Sequence, residues 1–256
     1  MEPTLIARNI QKSFGTGQRL TPILRGISLE VARGETVFLV GPSGSGKTTL
    51  LSLLGCLLSP DQGSIEVLGQ DVSRMRPAQL TAFRRRNLGF VFQTFNLFPN
   101  LSALDNVCLA LCMRGVSLRA ARVQSLELLD QVGLGARARL RPSQLSTGEC
   151  QRVAVARALA GDPSVLLADE PTASLDAANG QAVMHLLYRL AQDRGVTLII
   201  VTHDDRILHF ADRILRLEDG RLAGEGSYEE AEEASAGQIA AVSSVGRIRF
   251  GEERVA

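Results

Sequence analysis

Apolar residues fall into two kinds of spacing along this chain. Three short runs, Val37-Phe38-Leu39-Val40, Val165-Leu166-Leu167-Ala168 and Thr197-Leu198-Ile199-Ile200-Val201, are nearly continuous and show no polar alternation. Runs this short and this apolar predict strands buried on both faces, as parallel sheets require. Residues 5–10, 27–31 and 64–68 predict further strands, with a loop over 15–21 and a turn over 59–63. Helical spacing predicts a helix from about 47 to 58, then others over 71–83, within 101–134 and over 147–160. Asp219-Gly220 predicts a tight turn between strands 214–217 and 221–223. The tail from 224 onward predicts at most a short helix starting near Ser227, and no internal repeat is visible.

Strands alternating with helices imply an α/β fold. In such sheets the chemistry gathers beyond the strand C-terminal ends, where Gly41, Asp169 and His203 fall. The 256 residues allow one large domain or two small ones, and 45% hydrophobic content supports a real core. No apolar run approaches the ~18–20 residues of a spanning helix. The first ten residues carry no basic segment followed by an apolar one, so a cytosolic protein is expected. A net charge of +1 gives no support to nucleic-acid binding by bulk electrostatics. The run Arg84-Arg85-Arg86 reads as a solvated helix end before it reads as a partner patch. Cys56, Cys108, Cys112 and Cys150 have no completing ligand nearby and read as small apolar residues in a reducing compartment.

The first strand run delivers the chain into Gly41-Pro42-Ser43-Gly44-Ser45-Gly46-Lys47-Thr48-Thr49, directly before a leucine-rich helix. Strand, glycine turn and helix start are the context of a phosphate-binding loop. The glycines let backbone N–H groups converge on an anion, and the helix start adds unpaired donors. Lys47 would reach the β- and γ-phosphates, and Thr48 would ligate Mg²⁺. A plain glycine-serine turn is the bland alternative. Against it, Lys47 is one of two lysines, with Lys12, in a chain whose other basic residues are arginine. A compact ammonium suits a cramped phosphate cradle, and a wide guanidinium does not.

Asp169 and Glu170 end the second apolar run. There Asp169 would hold Mg²⁺ and Glu170 would activate water, unless the pair merely caps a helix. Leu145-Ser146-Thr147-Gly148-Glu149 precedes the helix carrying Gln151-Arg152-Val153-Ala154 and offers a second helix N-terminus for an anion.

At this point the chain resembles the ABC-transporter ATPases, whose signature Leu-Ser-Gly-Gly-Gln stands shortly before the Asp-Glu strand. The resemblance covers residues 5–223. It departs at Thr147, where Gly is usual, and at Glu149, where Gln is usual. It implies a RecA-like P-loop core with an antiparallel β portion and an inserted α-helical subdomain over about 94–161. The ATP-binding domain would run over 4–224, with a tail over 225–256 of unknown role. It implies ATP and Mg²⁺ as cofactors. Ser146, Gly148 and Glu149 would meet the ATP held by an opposite subunit, so two chains would sandwich two nucleotides.

Gln93, in Gly89-Phe90-Val91-Phe92-Gln93, matches the family glutamine that senses Mg²⁺. Asp176, in Ser174-Leu175-Asp176, matches the loop before the next helix, and His203 matches the histidine that contacts the γ-phosphate. Phe14 matches the aromatic that stacks on adenine, with plain core as the other reading. The cluster Phe95, Leu97, Phe98 and Leu101 reads equally as core or as a groove for a membrane subunit.

The resemblance extends to the branch serving macrolide export, lipoprotein release and heterocyst glycolipid export. It implies an ATPase peripheral to the cytoplasmic face of the membrane and powering a separate permease, by way of a homodimer or a paired ATPase subunit, with no nucleic acid involved. Two alternatives stay open. One is a regulatory mechanical ATPase acting through a membrane partner without transport, and the other is a soluble ABC ATPase.

Overall fold

The computed structural model describes residues 3–15 and 20–226, so the helix expected near Ser227 lies outside the described residues. Three of the expected apolar runs become the centre of one sheet: β3 (Thr36–Val40), β7 (Val165–Asp169) and β8 (Thr197–Val201). With β6 (Leu88–Val91), β9 (Arg213–Glu218) and β10 (Arg221–Gly226) they form a six-stranded sheet in the order β10-β9-β3-β8-β7-β6. Every pairing in it is parallel except the β9–β10 hairpin.

Strand geometry explains why these runs are apolar throughout. Successive side chains point to opposite faces, and here both faces are covered. Phe38, Leu166, Ala168, Leu198 and Ile200 pack into one core with the helices α3 (Ala103–Met113), α4 (Leu118–Gln131), α5 (Thr147–Leu159) and α6 (Ala177–Asp193). Their neighbours Val37, Leu39, Leu167, Ile199 and Val201 pack the other way, against α1 (Lys47–Leu54) and a second sheet. That sheet is antiparallel, in the order β2-β1-β4-β5, built from β1 (Pro3–Phe14), β2 (Thr21–Ala32), β4 (Gln62–Val67) and β5 (Gln70–Asp71). The molecule is thus layered: antiparallel sheet, then α1, then parallel sheet, then helices.

Several elements differ from their sequence expectation. The helix after the glycine loop stops at Leu54 rather than 58, because Gly55 ends it and Cys56 turns to φ 56°. The helix expected over 71–83 is a short strand and a 3-10 turn followed by α2 (Pro77–Asn87), since Pro77 cannot donate within a helix and sits where one begins. The stretch 101–134 is two helices separated at Gly115, whose φ is 91°. No described helix is long and apolar enough to cross a membrane. All four cysteines are free. Cys56, Cys108 and Cys150 are buried, as small apolar residues would be.

Candidate active site

The loop 41–46 leaves β3 and turns back into α1. At Gly41 the φ of 145° and the approach of the Leu217 carbonyl, 2.0 Å from where a Cβ would stand, leave room only for glycine. Gly46 precedes α1 and no side chain caps that helix, so its first amides face outward without a side-chain partner. Gly220, in the β9–β10 turn, donates to the Ser45 carbonyl at 3.2 Å, while Arg25 of β2 donates to the Gly220 carbonyl at 2.8 Å. These bonds clamp the loop between both sheets.

Lys47 is buried, and its ammonium donates to the Gly41 and Pro42 carbonyls at 2.7 and 2.9 Å. Both partners are neutral, so the charge remains available to an anion in the loop. One residue on, the Thr48 hydroxyl donates to Asp169 Oδ1 at 3.1 Å across the β3–β7 gap. Asp169 is half-buried. Burial pushes its carboxyl above the ordinary carboxylate range; the Thr48 hydroxyl draws it back, Glu170 raises it and Lys47 lowers it.

Glu170 follows with φ 49°, an uncommon conformation for a residue with a Cβ, held by its N–H bond to the Val201 carbonyl at 2.9 Å. The turn aims its carboxylate at His203, with Oε1 2.8 Å from Nδ1. The carboxylate is 15% exposed and the imidazole 69%. Ser43, Gly44, Gly46, Lys47, Thr48, Thr49, Gln93, Glu170 and His203 line one cleft of about 500 Å³, together with Ile23. Gly41, Pro42 and Ser45 shape the loop behind it, and Asp169 reaches it through Thr48.

Gln93 lies two residues beyond β6, and its carbonyl accepts from Ser174 Oγ at 3.3 Å. Asp176 caps α6, accepting from the Asn179 N–H at 2.9 Å and side-chain amide at 2.7 Å. These bonds hold its carboxyl below the ordinary range.

Ser146, Gly148 and Glu149 do not line this cleft; they form the first turn of α5. The Ser146 hydroxyl accepts from the Glu149 N–H at 3.3 Å, and Glu149 Oε2 accepts from the Ser146 N–H at 2.8 Å, a reciprocal cap. Glu149 Oε1 meets the Arg137 guanidinium at 2.8 Å. The Ser146 backbone bond, first, and then its hydroxyl and the charges of Arg137 and Arg152 lower this carboxyl. Both Glu149 oxygens thus have partners within the chain. Gly148 faces Asn179, and the Gln151 amide donates to the Pro171 carbonyl at 2.7 Å, so this helix is braced against the segment after Glu170.

Phe14 ends β1, 44% exposed and also outside the cleft lining, with Lys12 Nζ 5.7 Å from its ring centroid. The cluster read equally as core or as groove divides: Leu97 packs on the core, Phe98 is 53% exposed, and Phe95 adopts φ 58°. A groove of apolar floor does lie nearby, lined by Leu57, Phe90, Phe92 and Met113 instead. Sequence reading did not join these residues because the turn after α1, the end of β6 and α3 meet there only in three dimensions.

A profile described as ABC transporter matches residues 24–173. The lipoprotein-releasing system ATP-binding protein LolD of Bacteroides fragilis is 47% identical over 213 residues, covering 83% of this chain and 97% of that protein. The macrolide export ATP-binding/permease protein MacB of Rhodopirellula baltica is 47% identical over 216 residues, covering 84% of this chain. The chain spans only 32% of that relative's length. Among solved structures, a dimeric ATP-binding cassette in a post-hydrolysis state with ADP and phosphate matches with a TM-score of 0.81 at 39% identity, covering 88% of this chain and 98% of that one. The glycine loop, the Asp169-Glu170 strand end and a profile match over more than half of the sequence lead to one conclusion: this chain belongs to the ABC transporter ATP-binding family.

Proposed function

We propose that this chain binds and hydrolyses ATP as the ATP-binding subunit of an ABC transporter and powers a separate membrane permease, in export or in lipid or lipoprotein extrusion. The observation that carries this reading is the convergence of Lys47, Thr48, Glu170 and His203 on one cleft, with Asp169 behind Thr48. Phosphates fit the loop because its amides and the Lys47 ammonium supply positive charge without a neutralising carboxylate in hydrogen-bond reach. Mg²⁺ fits the adjacent pair. Thr48 Oγ1 and Asp169 Oδ1 are hard oxygen donors 3.1 Å apart, and a cation relieves the burial cost that raises the Asp169 carboxyl. When bound, the ion supplies charge neutralisation to the phosphates.

Glu170 Oε1 accepts the proton of the attacking water, and His203, on the same oxygen, orients that carboxylate; by its match to the family histidine it would also contact the γ-phosphate. Gln93 lines the cleft and directly precedes the helical subdomain that this reading places over about 94–161. The α5 N-terminus lies outside the cleft, so it is free to close over the nucleotide of a second chain. The ATP-binding domain then spans 4–224, working as a dimer peripheral to the cytoplasmic face of the membrane. Phosphate release from ATP by the purified chain tests the reading. Turnover that needs Mg²⁺ and is lost in Lys47→Ala supports it, and turnover indifferent to either refutes it.

A further inference from the structure

A second concavity, about 790 Å³, lies on the helical layer between the end of α4, the start of α5, one face of α6 and a 3-10 turn, Asp205–Phe210. Phe210 gives it an apolar wall, with ring centroids 4.2 Å from His209 and 6.2 Å from His185. Its charged lining is basic. Arg152 and Arg189 stand in it beside His185 and His209, and among the described residues no Asp or Glu lines it. The Arg152 Nε is enclosed and no described group accepts from it; Arg152 acts on Glu149 only through space. Arg189 is exposed, with no hydrogen-bond or ion-pair partner among the described residues. A donor withdrawn from water without an acceptor is costly, and carboxylates are the acceptors that suit a guanidinium best.

The course of the chain brings carboxylates to this place. β10 runs antiparallel to β9, and its last pairing sets Gly226 beside Ile214. The chain therefore leaves the described residues heading toward the start of β9, which follows the 3-10 turn closely. Contacts tie that exit to α6. Glu225 meets Arg213 at 2.8 Å, and next to Arg213 the Asp212 carboxylate accepts from the Thr36 N–H at 2.8 Å. The Gln192 amide of α6 donates to the Thr36 hydroxyl at 3.3 Å. Gln192 and Arg189 are three apart on that helix and so share a face. Beyond Gly226 the sequence continues Ser227-Tyr228-Glu229-Glu230-Ala231-Glu232-Glu233, the densest acidic run in the protein. Its glutamates come within about 10–25 Å of extended chain after Gly226.

We propose that the acidic segment 229–233 of this same chain lies in the groove, with its carboxylates on Arg189 and Arg152, and straps the sheet edge to α6. The proposal stands independently of the transporter reading. One exposed ion pair holds weakly. A tether this short, however, raises the local concentration of the glutamates to about the mM range, so several weak pairs suffice. The uniform sign of the lining accepts this run and rejects a basic one.

Glutamyl endopeptidase, which cuts after glutamate, tests it on the folded full chain, with cleavage after residues 229–233 timed by mass spectrometry. Cutting tracks the fraction of time that the segment is off the groove. Arg189→Asp should speed it at least about threefold, whereas Arg189→Lys, which keeps the charge, should leave it near the unaltered rate. Imidazole NMR gives an independent reading, since His185, His203 and His209 are the three histidines of the sequence. Changing Glu229, Glu230, Glu232 and Glu233 to glutamine should shift the signals of His185 and His209 and leave that of His203, in the ATP cleft, in place. Equal cutting of the unaltered chain and Arg189→Asp, or groove histidines unmoved by the tail substitutions, overturns the proposal. Protection that fades on dilution would assign the groove to the tail of a second copy and overturn the strap within one chain.

Discussion

Arg137→Ala should slow ATP turnover although Arg137 lies outside the ATP cleft. The reason is Glu149, a carboxylate in the signature turn where the family carries glutamine. Its Oε1 lies 2.8 Å from the Arg137 guanidinium, and the side chains are 11% and 54% exposed, respectively. A pair this open contributes only about 0.2–1 kcal/mol to stability, so the variant should fold. The effect on activity is larger, because in the proposed two-chain site the carboxylate, left with only the Ser146 N–H and the Arg152 charge, faces an incoming phosphate of the partner's ATP less well offset. Two like charges cost about 1 kcal/mol at ~4 Å in water and about 4 kcal/mol at an effective dielectric of ~20. A site that closes between two chains falls between these limits. A loss of about 1.4–2.7 kcal/mol corresponds to about a 10- to 100-fold drop in kcat/KM.

Adding Glu149→Gln removes that charge while glutamine keeps the reciprocal cap with Ser146. The double variant should therefore return to within about threefold of the unaltered chain, or ~0.7 kcal/mol. Glu149→Gln alone should change turnover by less than about tenfold, because Arg137 already offsets the charge. The assay is steady-state phosphate release over a range of ATP concentrations, with thermal melts as the folding control. A normal rate in Arg137→Ala, or a double variant as slow as the single one, refutes the neutralisation argument.

Three further outcomes follow from the cleft. Lys47→Arg should lose ATP binding by calorimetry, since a guanidinium does not fit where the ammonium reaches both loop carbonyls; unaltered affinity would contradict this. Glu170→Gln should bind ATP, accumulate as an ATP-bound dimer in light scattering and turn over at least about 100-fold more slowly, as loss of a general base requires. Gly41→Ala should destabilise the fold by roughly 3 kcal/mol or more in urea unfolding, because its Cβ would meet the Leu217 carbonyl 2.0 Å away.

How far the fold was legible depended on how locally each element is specified. The glycine loop and the three buried strands could be read because their composition answers a local demand, for backbone convergence or for two covered faces. The strand β6 escaped because it is four residues long and contains Gly89, whose value is tertiary: a Cβ there would stand 2.3 Å from the Ala158 carbonyl. The helix α6 left a signal that went unread, with Asp176 as its cap and Val183, Met184, Leu187, Leu190 and Ala191 buried at helical spacing. The strand β1 was expected over 5–10 and runs on to Phe14, because Gln11-Lys12-Ser13 show no apolar run and are held in the strand by pairing with β2. In the candidate site, Lys47, Thr48, Asp169, Glu170 and His203 were named from motifs, and the structure brings them together. The Arg137 contact to Glu149 was not legible, because a 3-10 turn and a helix start meet there only in three dimensions.

The central claim, that Lys47 of one chain and Ser146 of another complete one site, is tested most directly by mixing two inactive variants. Lys47→Ala spoils both loops of its dimer, and Ser146→Arg spoils both signature turns. In a mixed dimer one site carries both defects and the other carries neither. Equal amounts of the two proteins should therefore recover about one quarter of the unaltered phosphate release, as random pairing into two-fold dimers dictates. A mixture no faster than the sum of its parts, or a Ser146→Arg chain that hydrolyses ATP normally by itself, would contradict the shared site.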